Sequence, residues 1–288
     1  MHQAIKDMLE RYTCKTSEDY KNALKEIMQE IALLGLSRQK FFDKAAFYGG
    51  TALRIAHGLG RFSEDMDFTL LQNKNSFNIT QYLKGIEDEF SSFGLGLSSE
   101  KRHKSVETTI DSAFLKANTL EYLLQIEGLN NPASGTNKNE LLKIKLEIDI
   151  NPPTPAGNSE TLFLTQPIPF SYKMLTLPSL FGGKLHALLC RSYPSGRVKG
   201  RDYYDFIWYT NKGIKPDMAY LKGKLCDSGH WSSSKELTTK DLQDLLKQKF
   251  EKTNWEQAKK DVIPFLKNSE EVQVWSTTFF NSLIPKVT

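Results

Sequence analysis

The sequence predicts an α+β protein, with an N-terminal α/β lobe carrying a mixed sheet and a helical C-terminal lobe. Three observations carry this. Ile144, Leu146, Ile148 and Ile150 alternate with Lys143, Lys145, Glu147 and Asp149, the period of a strand with one apolar face. Ile27, Ile31 and Leu34 repeat at the spacing of one helix face. Beyond about residue 173 only helical patterns occur, at 178–192, 201–212, 216–226, 238–252, 254–267 and 269–283. The lobes are accordingly drawn as 1–172 and 173–288.

The remaining elements follow in order. Helices are expected at 2–12 and 18–35, and a further one at Thr51–Leu59 with Thr51 near its N-cap. A strand at 66–71 leads to a helix at 79–93 and strands at 106–110, 119–127 and 141–151. Residues 152–160 (Pro-Pro-Thr-Pro-Ala-Gly-Asn-Ser-Glu) break the pattern as a loop.

Composition excludes several classes. With 288 residues, 39% hydrophobic and 25% charged, the chain is an ordinary globular one. No apolar stretch is long enough to span a bilayer, and the first residues lack a signal-peptide layout. Cys14, Cys190 and Cys226 are odd in number and far apart, which fits a reducing cytosol and no zinc site. His57, His103, His186 and His230 share no metal-ligand spacing. The expectation is a cytoplasmic protein, monomeric for want of a heptad pattern, with no membrane partner. The net charge of +4 is mild, but Lys184, Arg191, Arg197, Lys199 and Arg201 fall in one stretch without an acid. Such a stretch can meet a phosphate backbone or simply be solvated surface.

The most informative run is Gly49-Gly50-Thr51-Ala-Leu-Arg followed by Ser63-Glu64-Asp65-Met66-Asp67-Phe68. Glycines opening a helix can present backbone N–H groups to a phosphate, although they also make ordinary turns. Asp65 and Asp67 alternate with Met66 and Phe68, so on a strand both carboxylates share the polar face. Two aligned carboxylates can hold a hard divalent cation bridged to nucleotide phosphates, or serve as a solvated strand face.

Tyr48-Gly-Gly-Thr-Ala-Leu-Arg with Arg61-Phe-Ser63-Glu-Asp65-Met-Asp67 resembles the first motif of the AbiEii/AbiGii/MenT toxins of the DNA polymerase beta-like nucleotidyltransferase superfamily. Lys145-Leu-Glu147-Ile, the helix start around Lys184, and Lys199-Gly-Arg201-Asp202-Tyr-Tyr-Asp205 are similar to the family's later motifs. The likeness covers roughly residues 45–210. It implies a polymerase beta-like lobe and an NTP-dependent transferase acting in a toxin–antitoxin or phage-defence system. It further implies Asp65 and Asp67 as catalytic ligands of two Mg2+ (or Mn2+) ions, with Glu147 or Asp149 as a third carboxylate. Gly49, Gly50, Thr51, Arg61 and Ser63 would then surround the NTP phosphates. Lys184 would neutralise the triphosphate, and Asp202 would act as a base or position Lys184. Asp205 would share that function or brace its helix against Arg201. The branch resembled points to the tRNA 3′ end as acceptor, steered by Arg197 and Lys199, and to a cognate antitoxin. A small-molecule or protein acceptor, or a non-catalytic nucleotide-binding scaffold, are the competing expectations.

Overall fold

The computed structural model of the chain describes residues 2–72, 77–101, 110–118, 141–191, 193 and 196–287. Two compact units separate within it. The first comprises Met1–His57, Ser63–Pro152 and Glu160–Met174, and the second Gly58–Phe62, Pro153–Ser159 and Leu175–Thr288.

The first unit begins with α1 (Gln3–Leu9) and α2 (Ser17–Arg38). Thr16 and Asp19 form a reciprocal capping box that fixes the start of α2. Ala23, Leu24, Ile27, Met28, Ile31, Ala32, Leu33, Leu34 and Leu36 are all buried along α2. Apolar residues all round a helix mark it as central rather than superficial. The sequence reading saw only one of these faces.

Seven strands follow among the described residues: β1 (Ala45–Tyr48), β2 (Met66–Leu70), β3 (Ser98–Lys101), β4 (Ile110–Asn118), β5 (Leu141–Asp149), β6 (Ser159–Leu164) and β7 (Phe170–Leu175). Among the described residues two helices lie between them, α3 (Gly49–His57) and α4 (Thr80–Ser92). The order across the sheet is β3-β4-β5-β2-β1-β7-β6. β2 pairs parallel with β5 and antiparallel with β1, so the sheet is mixed, as the sequence predicts. Met66, Phe68 and Leu70 point into an aromatic core with Phe41 and Phe47, whose rings lie 5.0 and 5.1 Å from that of Phe68.

Of the predicted strands, 106–110 touches the described residues only at Ile110, which begins β4, and 119–127 lies outside them. β1, β3, β6 and β7 were not predicted. β1 has four residues and passes into α3 without a turn. β6 is an edge strand with an exposed, weakly alternating pattern, so its sequence lacks the period that marks a half-buried strand.

The second unit contains α5 (Leu177–Cys190), α6 (Gly200–Asn211), α7 (Met218–Asp227), α8 (Thr239–Glu251), α9 (Trp255–Val262) and α10 (Thr277–Leu283). Two predicted helices are shorter than expected. Pro264 follows α9 within a 3-10 turn at Ile263–Phe265, where it has no N–H to continue the ladder. A second 3-10 turn at Ser269–Val272 precedes α10, which Ser276 caps anew. Tyr203, Phe206, Phe250, Trp255 and Phe280 form the unit's aromatic core, with Trp255 and Phe280 stacked at 4.3 Å. A Cβ on Gly200 would lie 1.8 Å from the Ala258 carbonyl oxygen, so α6 starts where only glycine lets α9 approach.

Candidate active site

The site residues fall into two sets, one in each unit. In the first unit, β1 passes directly into α3 at Gly49, whose φ of +83° lies in the left-handed region. A Cβ there would stand 2.4 Å from Oδ2 of Asp67, so the glycine leaves room for that carboxylate. Gly49→Ala is therefore expected to displace Asp67 and lower activity at least about tenfold, at a stability cost of about 1–2 kcal/mol. Steady-state kinetics beside a thermal melt check this.

Asp67 sits in β2 level with Glu147 of β5, while Asp149 is level with Thr69. Glu147 is in turn opposite Ser112 of β4, and Asp67 opposite Tyr48 of β1. One row across four strands thus carries Tyr48, Asp67, Glu147 and Ser112 on the face away from the apolar core. Glu147 forms an ion pair with Lys145 at 2.5 Å. The Asp149 carboxylate accepts the backbone N–H of Asn151 at 3.1 Å. The Ser112 hydroxyl is buried and has no hydrogen-bond partner among the described residues. The sequence reading missed Ser112, because a lone serine on a poorly patterned strand carries no signal.

Asp65 precedes β2 by one residue rather than belonging to it. Its carbonyl accepts a short hydrogen bond from the hydroxyl of Thr51, which is fully buried. This hydroxyl thereby fastens the loop before β2 to α3. Ser63 and Glu64 are held from α2, where Gln29 Nε2 donates to their carbonyls at 2.9 and 3.1 Å. Lys25 pairs with Glu64 at 3.2 Å. Gln29 and Lys25 were also missed, since their part depends on a contact far away in sequence. Among the described residues, no three His, Cys, Asp or Glu side chains stand together as a metal-enclosing group.

The second set is a buried ionic chain. Arg61 is 3% exposed and gives Asp205 two parallel hydrogen bonds, from Nε and Nη2, each 2.7 Å long. Its Nη1 donates to the Phe62 carbonyl. Lys184 Nζ lies 2.9 Å from Asp205 Oδ2 and 2.8 Å from Asp202 Oδ1. Arg191 takes the other Asp202 oxygen at 2.5 Å. The chain therefore runs Arg61–Asp205–Lys184–Asp202–Arg191.

Its electrostatics follow from these contacts. Burial alone would raise the carboxyl of Asp202, but Lys184 and Arg191 outweigh it and hold the group well below the usual range. Asp205 is held down in the same way, against burial, by Arg61 and Lys184. Burial pulls Lys184 downward, yet the two carboxylates win and raise it above an ordinary lysine.

Arg61 is engaged through three nitrogens within the unit. Asp205 is tied to Arg61 and Lys184, whereas the Arg201 guanidinium lies 4.1 Å from the ring centroid of Phe265. The basic stretch is also largely neutralised from within. Lys184 and Arg191 are in the chain, and Arg197 pairs with Asp261 at 2.6 Å. Asp261 also accepts the Gly200 N–H, so Arg197 belongs to the start of α6 rather than to a free basic surface.

The family model described as nucleotidyl transferase AbiEii toxin, type IV toxin–antitoxin system, matches residues 31–278. The chain belongs to the AbiEii family. It is thus a nucleotidyltransferase toxin of a type IV system, a class defined together with a cognate antitoxin. Two crystal structures from Helicobacter pylori are similar to this AbiEii chain at 16% identity and a TM-score of 0.49. One, a candidate nucleotidyltransferase, aligns over 91% of this chain and 92% of its own; the other, JHP933, over 92% and 91%. No curated protein matches. Among the described residues, no helix is long and apolar enough to cross a membrane.

Proposed function

We propose that this AbiEii toxin transfers a nucleotide from an NTP to the 3′ end of tRNA, by in-line attack of the terminal hydroxyl on the α-phosphate, breaking the bond to the β-phosphate and releasing pyrophosphate. The observation that carries the reading is the row holding Asp67 level with Glu147, directly against the side-chain-free start of α3. This donor set is all oxygen and has two close carboxylates rather than a closed cage. It fits Mg2+, which is held by one or two carboxylates and completes its shell with water and phosphate oxygens. Asp67 and Glu147 would hold the ion, with Asp65 and Asp149 flanking them. When bound, Mg2+ or Mn2+ supplies charge neutralisation and activation of the attacking and leaving oxygens.

The chain's own residues do the rest by positioning. Backbone N–H groups of Gly49 and Gly50 open a nine-residue helix, whose N-terminus favours phosphate. The family resemblance assigns the triphosphate's cation to Lys184, which Asp202 and Asp205 hold within the second unit. Asp202 is too weak a base to accept a proton usefully near neutrality, so its part is to position Lys184, shared with Asp205. On this reading the toxin acts in the cytoplasm as a monomer, opposed by its antitoxin, in defence against phage.

A protein or small-molecule acceptor is the second reading. It is favoured by the internal pairing of Lys184, Arg191 and Arg197, which leaves the stretch less free charge for RNA. Incubation with Mg2+, labelled NTP and either intact or periodate-oxidised tRNA separates the two. Label on intact tRNA alone is expected. Label on protein or small molecules, with tRNA unlabelled, would replace the first reading by the second.

A further inference from the structure

A cavity of about 370 Å3 opens in the second unit between the end of α5, the start of α6 and the end of α8. Its wall carries Arg191, Arg197, Lys199, Lys249 and Lys252 against one carboxylate, that of Asp202. That carboxylate is already spent, with Oδ1 on Lys184 and Oδ2 on Arg191. Lys249 donates to the carbonyls of Leu189 and Arg191 at 3.3 and 3.2 Å, capping the C-terminal end of α5. Lys199 makes no ion pair with any described carboxylate. Burial first, and then the neighbouring charge of Arg191, press its ammonium down to about 8. Arg191 and Arg197 already meet Asp202 and Asp261, and Lys249 two carbonyls, which leaves Lys199 and Lys252 as the wall's cations without an ion pair among the described residues. Lys184, Asp205 and Arg61 are not in the wall, so the cavity is separate from the pairing at Lys184 while sharing Asp202 with it.

We propose that this cavity binds a phosphate group of the acceptor strand, at a site additional to the one at Lys184 that meets the donor NTP. The proposal rests on the transferase reading given above. The volume suits a nucleotide-sized group. Unpaired charge also continues from the interior outward, from half-buried Lys199 to exposed Lys252, a distribution that suits successive phosphates rather than a single one. Because Arg191 and Lys184 share Asp202, a phosphate that draws Arg191 away leaves that carboxylate to Lys184 alone. Occupancy of the cavity is thus coupled to the grip on Lys184.

The test is calorimetric titration of the full chain, across a series of salt concentrations, with a single-stranded oligoribonucleotide, AMP and inorganic phosphate. Wild type is compared with the K199Q/K252Q double variant. The oligoribonucleotide is expected to bind wild type and to lose at least about tenfold in the variant. The salt slope should fall by about 1.4, the share of two phosphate contacts on a single strand. AMP or phosphate binding as tightly as the strand, with the same loss, would overturn the strand as occupant. Unchanged affinity and slope in the variant, or no saturable binding of any probe to wild type, would overturn the site itself.

Should the variant misfold, acetylation of Lys199 in wild type gives the same answer. The lysine is expected to react several-fold more slowly with the oligoribonucleotide bound, and equal rates would count against the cavity. Binding of NTP, measured in the same instrument, reports on the transferase reading alone. Its failure beside intact oligoribonucleotide binding would sink that reading and leave the cavity standing.

Discussion

Asp205→Ala is expected to cost about 3–5 kcal/mol of stability, the range found when one partner of a buried ion pair is removed. Asp205 is fully buried and accepts both Arg61 nitrogens at 2.7 Å and the Lys184 ammonium at 2.9 Å. Without it, Arg61 is left as a buried guanidinium with only the Phe62 carbonyl, and Lys184 keeps Asp202 alone. For a chain of this size the melting temperature should fall on the order of 10 °C. An Arg61→Met, Asp205→Leu double variant should recover much of the loss, because it removes the charges instead of stranding them. A loss under about 1 kcal/mol for Asp205→Ala would show that the pair is not the buried brace described above.

The same contacts fix a pH dependence. Asp202 and Asp205 both lie below their ordinary value of 3.8 in the folded chain, so the folded state binds their protons less readily than the unfolded chain does. Their contribution is complete above the ordinary carboxylate range. It is lost as the pH falls below about 4 toward the folded values. Urea midpoints of wild type and Asp205→Asn should therefore differ most at neutral pH and converge as the pH falls below the ordinary carboxylate range toward the folded value.

The second large effect concerns activity. Asp67→Asn keeps the side chain's shape and removes its charge, so transfer should fall at least about 1,000-fold while stability moves by no more than about 1 kcal/mol. Glu147→Gln, at the neighbouring position of the row, should behave similarly. Asp149→Asn should be milder, since Asp149 stands beside Thr69 and is bound to the Asn151 N–H. Single-turnover rates for the three variants check this order. Equal losses at Asp149 and Glu147 would contradict the assignment of the row.

Much of this was legible before any coordinates. The alternation at 143–150 gave β5 and its polar face directly, and Asp67 between Met66 and Phe68 marked the polar face of β2, whereas Asp65 lies one residue before that strand. Register was not legible. Nothing local says that Glu147 rather than Asp149 stands beside Asp67, because that depends on how two distant strands align. The partner of Arg61 was not legible for a related reason. Its partner Asp205 is 144 residues away, and a motif read as a unit hides that one member serves another part of the chain. The family resemblance assigns Thr51 to the phosphates, and nothing local says that its hydroxyl turns to the Asp65 carbonyl. A lysine- and arginine-rich stretch likewise looks like a surface until the acids that neutralise Lys184, Arg191 and Arg197 are seen to come from other helices.

The most direct test of the central claim is incorporation of label from each of the four NTPs into total tRNA, with Mg2+, by wild type and by Asp67→Asn at equal folded concentration. Label on tRNA with wild type, released by removal of the 3′ nucleotide and absent with the variant, is the predicted result. Label on tRNA at the same rate with both proteins would contradict it, for then the Asp67–Glu147 row would not be where transfer occurs.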